Sequence, residues 1–315
     1  MAGIGRAQHM NTILLDEAGK LRSGWRAVAF LSAFICTAPL LTILEQLALD
    51  RLPGDETAGS TGFTVINAFG LLALAILFGA VFTRWFEDKP FRTLGASLTG
   101  RWFQHLVIGL LMGVIGLLVA VLIPFLAGAE AFTKNAVSDE ALAKSLLVSF
   151  GVFAIAAAWE EAFFRGYLLQ TFVRSGSGMW ALLGMSLFFG LVHLGNKDAT
   201  ILSGTNTALA GVVFSLAYLK TRDLWFPWGI HLMWNWTQGS IFGIEVSGTT
   251  DLSRQPFFQE IDRGPVWLTG GTYGIEGSIA CTVALIIIGV LIYVLPGLSA
   301  DDELLALTSP KRSGS

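Results

Sequence analysis

The sequence predicts an all-α protein, a polytopic transmembrane helical bundle of about eight spanning helices. Three observations carry this. Apolar residues make up 53% of the 315 residues and charged residues only 14%, against about 25% charged in ordinary soluble domains; mean hydropathy is +0.64. The apolar residues gather into runs of roughly 20, the length a helix needs to cross the hydrocarbon core. Tryptophans mark the run edges at Trp25, Trp85, Trp102, Trp180 and Trp225, as an interfacial aromatic belt requires. The 36 glycines suit close helix packing in lipid. A net charge of -3 offers no basic surplus for nucleic acid.

Taken in order, the runs fall at 27–49, 63–83, 104–127, 143–172, 179–195, 200–219, 225–243 and 279–296. They divide the chain into a cytoplasmic N-terminal segment (1–26), three N-terminal membrane helices (27–142), a four-span core (143–243), an extracytoplasmic loop (244–278), a last span (279–296) and a tail (297–315). Pro39 and Pro124 fall in or near spans, where they kink helices. The first 26 residues are mixed and polar, and the apolar run after them is too long for a cleavable signal. Most Lys and Arg, among them Arg6, Arg22, Arg26, Arg84, Lys89, Arg92, Lys311 and Arg312, fall on the side of the N-terminus. Arg51, Lys134, Lys144, Lys197, Arg254 and Arg263 fall opposite. The asymmetry places both termini in the cytoplasm. Residues 84–101 form a cytoplasmic linker broken by Pro90 and Gly95, and the function of the Gly- and Thr-rich loop 244–278 is not readable. Gly109 and Gly113 form a GxxxG motif whose ordinary meaning is helix packing. Cys36 and Cys281 sit in apolar runs, without the spacing of a disulfide framework or thiolate metal site. His9 and His105 are expected to be interfacial bystanders.

The chemistry concentrates in the central spans, where ionisable groups are expensive and mark function. The fourth run holds Glu160 and Glu161 side by side, with Arg165 four residues on. Glu161 and Arg165 share a helix face and can pair; Glu160 lies about 100° round the helix and is free for another task. The fifth run ends in Phe189 and His193, and the seventh carries His231 and Asn235 four apart on one face. Counted from the Ser/Gly turn at 175–178, Glu160 and His193 reach nearly the same depth, about 25 Å at 1.5 Å per residue, and His231 and Asn235 reach about 14 and 20 Å from the turn near Arg222. Three helices can therefore bring a carboxylate, two imidazoles and an amide into one layer. A carboxylate beside a histidine can hold and deprotonate water, and imidazole and amide N–H groups can stabilise an oxyanion. Two histidines and a carboxylate are equally a zinc ligand set, although the single-helix HExxH signature is missing.

Glu160-Glu161-x-x-x-Arg165, Phe189-x-x-x-His193 and His231-x-x-x-Asn235, in this order on successive apolar helices, resemble the three motifs of the CPBP family of intramembrane proteases. That family takes in type II CAAX prenyl proteases, bacteriocin-processing and immunity proteins, and abortive-infection and lysostaphin-resistance-like proteins. The resemblance covers about residues 145–243 and implies an intramembrane endopeptidase of the bacterial inner membrane. On it, Glu160 is the general base that activates water, His193 helps position it, and His231 and Asn235 stabilise the oxyanion. Glu161 and Arg165 are architectural, and Phe189 shapes the pocket. The family is often called metallopeptidase-like, yet its better-understood mechanism depends on glutamate without an obligatory metal. A divalent metal such as zinc, if bound, would take Glu160, His193 and His231.

The implied substrate is a membrane-associated or lipid-modified peptide or protein segment, cut near the cytoplasmic face, with membrane lipid as the other partner. Two alternatives compete: a non-catalytic immunity or binding protein on the same scaffold, and a proton-coupled transporter, to which buried Glu and His also belong. Paired broken helices in corresponding halves, which mark transporters, are not found. Trp234 and Trp236, flanking Asn235, either line a substrate cleft or pack in the membrane.

Overall fold

A computed structural model of the chain describes residues 13–16, 19–51, 56–249, 252 and 254–310. Arg6, His9, Lys311 and Arg312 lie outside the described residues. Helix α1 (Ser23–Leu49) and α2 (Glu56–Glu87) precede a short 3-10 turn (Phe91–Leu94) and α3 (Trp102–Leu126). Strand β1 (Glu130–Lys134) leads into α4 (Asp139–Glu161), which runs through a π-helical segment (Ala162–Leu168) into α5 (Leu169–Arg174). Then follow α6 (Gly178–His193), α7 (Ile201–Thr221) and α8 (Trp225–Trp236), the last ending in a second π segment (Thr237–Phe242). Strand β2 (Phe258–Asp262), α9 (Val266–Thr269), α10 (Ile279–Val294) and α11 (Asp302–Thr308) complete the chain.

All eight apolar runs are helical. Five helices have the length and hydropathy to cross a membrane: 23–49, 62–87, 102–126, 139–174 and 201–221. Helices α6 and α10, of 16 residues each, are apolar but shorter. The helix starts follow local chemistry. Ser138 caps α4 by accepting the Ala141 amide (3.3 Å), with Asp139 and Glu140 in the first turn where the helix dipole favours acids. Thr200 and Ser203 form a capping box on α7. Ser278 caps α10, and Asp223 accepts the Trp225 amide (3.1 Å) at the start of α8.

The glycine pair at 109 and 113 explains how α8 is held. A Cβ on Gly109 would lie 2.4 Å from Phe226 O, and one on Gly113 2.4 Å from Ile230 O. Only hydrogen at these positions lets α3 lie directly on α8, the helix that carries His231. At the start of α3, His105 is fully buried, and its Nδ1 lies 2.5 Å from Asp223 Oδ2. This corrects the expectation of an interfacial bystander. Its position near Trp102 suggested the interface, but the turn before α8 folds over it and supplies a buried carboxylate.

The bundle has two unlike ends. One gathers the start of α1, the 88–101 linker, the 175–177 turn, the turn at Arg222 and α11, which is tied down by an Arg92–Glu303 ion pair. The other gathers the antiparallel ribbon β1–β2, in register from Glu130↔Asp262 to Lys134↔Phe258, and the 194–200 loop. Exposed apolar side chains such as Ile35, Leu44, Leu77, Leu122, Leu187 and Ile286 girdle the sides between these ends, the surface a helix bundle presents to lipid.

Candidate active site

Glu160 and Glu161 end the regular part of α4, and the π segment begins at the next residue. The second π segment begins two residues after Asn235. A π turn inserts an extra residue into the helical ladder and re-aims the side chains around it. Both therefore sit where side chains must turn into the interior. The offset leaves the Glu161–Arg165 pair intact: Arg165 Nη1 donates to Glu161 Oε1 at 3.0 Å, and Nη2 reaches Gly211 O at 3.3 Å. The guanidinium is 1% exposed and lies 4.8, 5.2 and 5.6 Å from the ring centroids of Phe189, Phe214 and Phe164. A buried cation is tolerated here because a carboxylate, a carbonyl and three aromatic faces surround it.

Glu161 does more than pair with the arginine. Its Oε1 also lies 3.0 Å from His231 Nδ1, which therefore carries a proton and directs Nε2 inward. His193 is oriented by its own helix: Nδ1 donates to Phe189 O at 2.8 Å. Both imidazoles turn Nε2 toward one atom, Glu160 Oε2, at 4.0 Å from His193 and 3.9 Å from His231. That oxygen is buried and has no hydrogen-bond partner among the described residues. Phe214 stacks on His231 at 4.7 Å with a 17° interplanar angle, which fixes the ring plane.

These groups line a cavity of about 600 Å³. Glu160, His193, His231, Asn235 and Phe189, predicted on three separate helices, all face it. Trp234 lines it as well, whereas Trp236 turns away, donating to Leu146 O at 3.1 Å and packing on Phe150. Phe34 of α1 reaches the cavity, so the first N-terminal span is part of its wall.

Loop 244–278 also enters the site. Glu276 lines the cavity; its Oε2 accepts the Ser247 amide (2.6 Å) and hydroxyl (2.9 Å). Burial pushes its carboxyl above the usual range, against those two bonds. Asn206 on α7 holds the same loop by donating to Glu276 O and Ser278 O. Sequence reasoning missed Phe214, Glu276 and Ser247: an aromatic in an apolar helix and an acid in a polar loop carry no local signal of what they face.

Residues 142–237 match the family model described as type II CAAX prenyl endopeptidase, Rce1-like. This segment is an Rce1-like domain. The Rce1-like domain spans α4 to α8 and contains all seven residues that the motifs single out. Its family is one of endopeptidases, so the chain's coarse class is a multi-pass membrane protein of the peptidase type. No curated protein matches the chain.

Two sequence expectations collide at the Rce1-like domain. Asn196, Lys197, Ser247 and Thr249 line the cavity, and they belong to loops at the end opposite the termini. Helix α6 stops at His193, so the polar 194–200 loop begins at the level of the site. If both termini are cytoplasmic, the polar side of the cavity is extracytoplasmic. A cleavage point near the cytoplasmic face then requires the opposite orientation. Counting from the turns gave matched depths but not the side from which the layer is reached.

The donor set was also measured against zinc. Donors bound at 2.0–2.1 Å in a tetrahedral site stand about 3.3 Å apart. Glu160 Oε2 stands 3.9–4.0 Å from each histidine Nε2, and among the described residues no three His, Cys, Asp or Glu side chains form a metal-binding group. As placed, the three residues do not fit the ion.

Proposed function

We propose that the chain is an intramembrane endopeptidase in which Glu160 activates the attacking water. The observation that carries this reading is the orphaned Oε2 of Glu160, set about 4 Å from two imidazole nitrogens. That gap is too long for direct hydrogen bonds and admits one water within about 2.8 Å of the carboxylate and of either ring. Glu160 takes the proton as the water oxygen attacks the peptide carbonyl. His193, held through the Phe189 carbonyl, positions the water. His231 and Asn235, one turn apart on α8, point N–H donors at the oxyanion of the tetrahedral intermediate. Glu161 is the positioning residue for His231: when the imidazole holds its second proton, the adjacent carboxylate balances the charge. Collapse of the intermediate moves the proton from Glu160 to the leaving amine. No step requires a metal.

The substrate is a peptide or membrane-protein segment, with a lipid modification as the feature suited to the apolar wall. Phe34, Phe153, Trp159 and Phe163 contribute to that wall. The test compares wild type with Glu160→Gln, both shown to be folded, against a library of plain and lipidated peptides in detergent. Cleavage by wild type alone supports the peptidase. Cleavage by neither, with ligand retained by both, assigns a binding protein; equal cleavage by both removes Glu160 from the mechanism. Elemental analysis of pure protein, followed by chelation, tests the metal-free reading: stoichiometric zinc whose removal abolishes cleavage would overturn it.

A further inference from the structure

A second cavity, of about 580 Å³, lies at the opposite end of the bundle from the polar side of the first. It opens between the start of α1 and the turn joining α5 to α6, and is lined by Arg22, Ser23, Trp25, Arg26, Ser175 and Ser177. Two helices of 27 and 16 residues begin here, and neither Arg22 nor Ser177, at their N-caps, supplies a side-chain cap. Their first amides are left for another acceptor. Ser175 Oγ donates to Ser23 Oγ at 3.0 Å and so closes one side.

The second observation is charge. The Arg26 side chain is 9% exposed and lines this cavity. Its Nη1 lies 3.2 Å from Glu87 Oε1, but Arg174 pairs with the same carboxylate, and Thr171 donates to it as well (2.6 Å). Two buried guanidiniums thus share one acid. Among the described residues, the Nε of Arg26 and of Arg174 are buried without a hydrogen-bond partner. A further anion beside Arg26 would add to a pairing that Glu87 divides between two cations. Asp16, the acid that also lines the cavity, accepts the Lys20 amide at 2.9 Å. Exposed Trp25 at the rim marks the height of the lipid headgroups.

We infer that this cavity binds the phosphate of a headgroup with net negative charge, as an anionic phospholipid presents at that height, with Arg26 at its base and the starts of α1 and α6 around it. Basic pockets between helices bind anionic headgroups in this way, and helix N-termini supply amide donors to phosphate. The inference stands apart from the peptidase reading, since none of these residues lines the first cavity.

The test is native mass spectrometry of the full chain released from nanodiscs of mixed phosphatidylglycerol and phosphatidylcholine. Wild type is expected to retain one phosphatidylglycerol, with roughly a fivefold preference over phosphatidylcholine for each arginine engaged. Arg26→Gln is expected to lose the preference. Because that variant strips a partner from Glu87, Ser177→Glu is the second: it puts a negative charge at the start of α6, where the helix dipole tolerates acids, and repels phosphate without touching the Glu87 pairs. Displacement of the lipid by millimolar inorganic phosphate identifies a site that reads the phosphate alone; retention under phosphate identifies the lipid as the occupant. Equal retention of the two lipids by wild type, or an undiminished preference in folded Ser177→Glu, would overturn the inference.

Discussion

Among the regions of the molecule that bury carboxylates, two treat them in opposite ways. In the bundle centre, Glu160 and Glu161 stand among two imidazoles and a guanidinium, and the distances divide the labour. Glu161 contacts its partners at 3.0 Å, and Glu160 keeps the imidazoles at about 4 Å. In the β1–β2 ribbon, Glu130 is 2% exposed and neither carboxylate oxygen has a hydrogen-bond partner among the described residues. Its carboxyl is pushed up to about 8 by burial and by Asp262. Glu260 is likewise pushed up to about 8 by burial, with Glu130, Glu245 and Asp262 adding to it. A buried acid among acids keeps its proton; a buried acid among bases can lend its charge to chemistry. Burial alone does not mark a reaction centre.

The contrast is testable in order of effect. Glu160→Gln is expected to lower kcat by about 10²–10⁴-fold with the thermal transition near that of wild type, and Glu130→Gln, in the same peptide-cleavage assay, to leave kcat unchanged; a loss from both would erase the distinction. Arg165→Met is expected to destabilise by about 3–5 kcal/mol, since the buried Glu161 would lose its permanent cation and keep only His231, measured by denaturation in detergent. Asn235→Ala is expected to lower kcat about 10²–10³-fold with little change in KM if its amide meets the oxyanion; a pure KM effect would reassign it to substrate binding. The smallest effect is the ribbon's pH response. Its two acids hold protons when folded that the unfolded chain releases above an ordinary value of 4.5. Stability from this source is full below about 4.5 and falls as pH rises toward about 8. The protection of β1 amides from hydrogen exchange, taken relative to the intrinsic rate at each pH, should therefore fall between these limits, and Glu130→Gln should flatten the trend.

Residue type and spacing gave the helices and the acid–imidazole–amide set because lipid permits few alternatives: apolar runs must be helical, and Glu160, Arg165, His193 and His231 stand out against an apolar background. The i,i+4 rule placed Glu161 on Arg165 and His231 beside Asn235. It gave no sign that Glu161 also orients His231, since that contact joins residues 70 apart. The π segments were equally hidden, as no pattern in Ala162–Leu168 distinguishes them from α-helix. His105 was misplaced because a histidine near a tryptophan at a helix start reads as interfacial until Asp223 is found over it. Loop 244–278 stayed dark because Ser247 and Glu276 act through a fold-back contact.

Helix α6 spans about 24 Å at 1.5 Å per residue, and its outward face of Met179, Trp180, Leu183, Leu187 and Leu191 is bare. The hydrocarbon of an ordinary bilayer is about 30 Å thick. Lipids beside α6 must compress or tilt to meet it, at a modest penalty for each ångström of mismatch. A bilayer of ordinary thickness would have to thin on the flank that ends at His193. Thinner bilayers would match that flank better, and thicker ones would add to the mismatch.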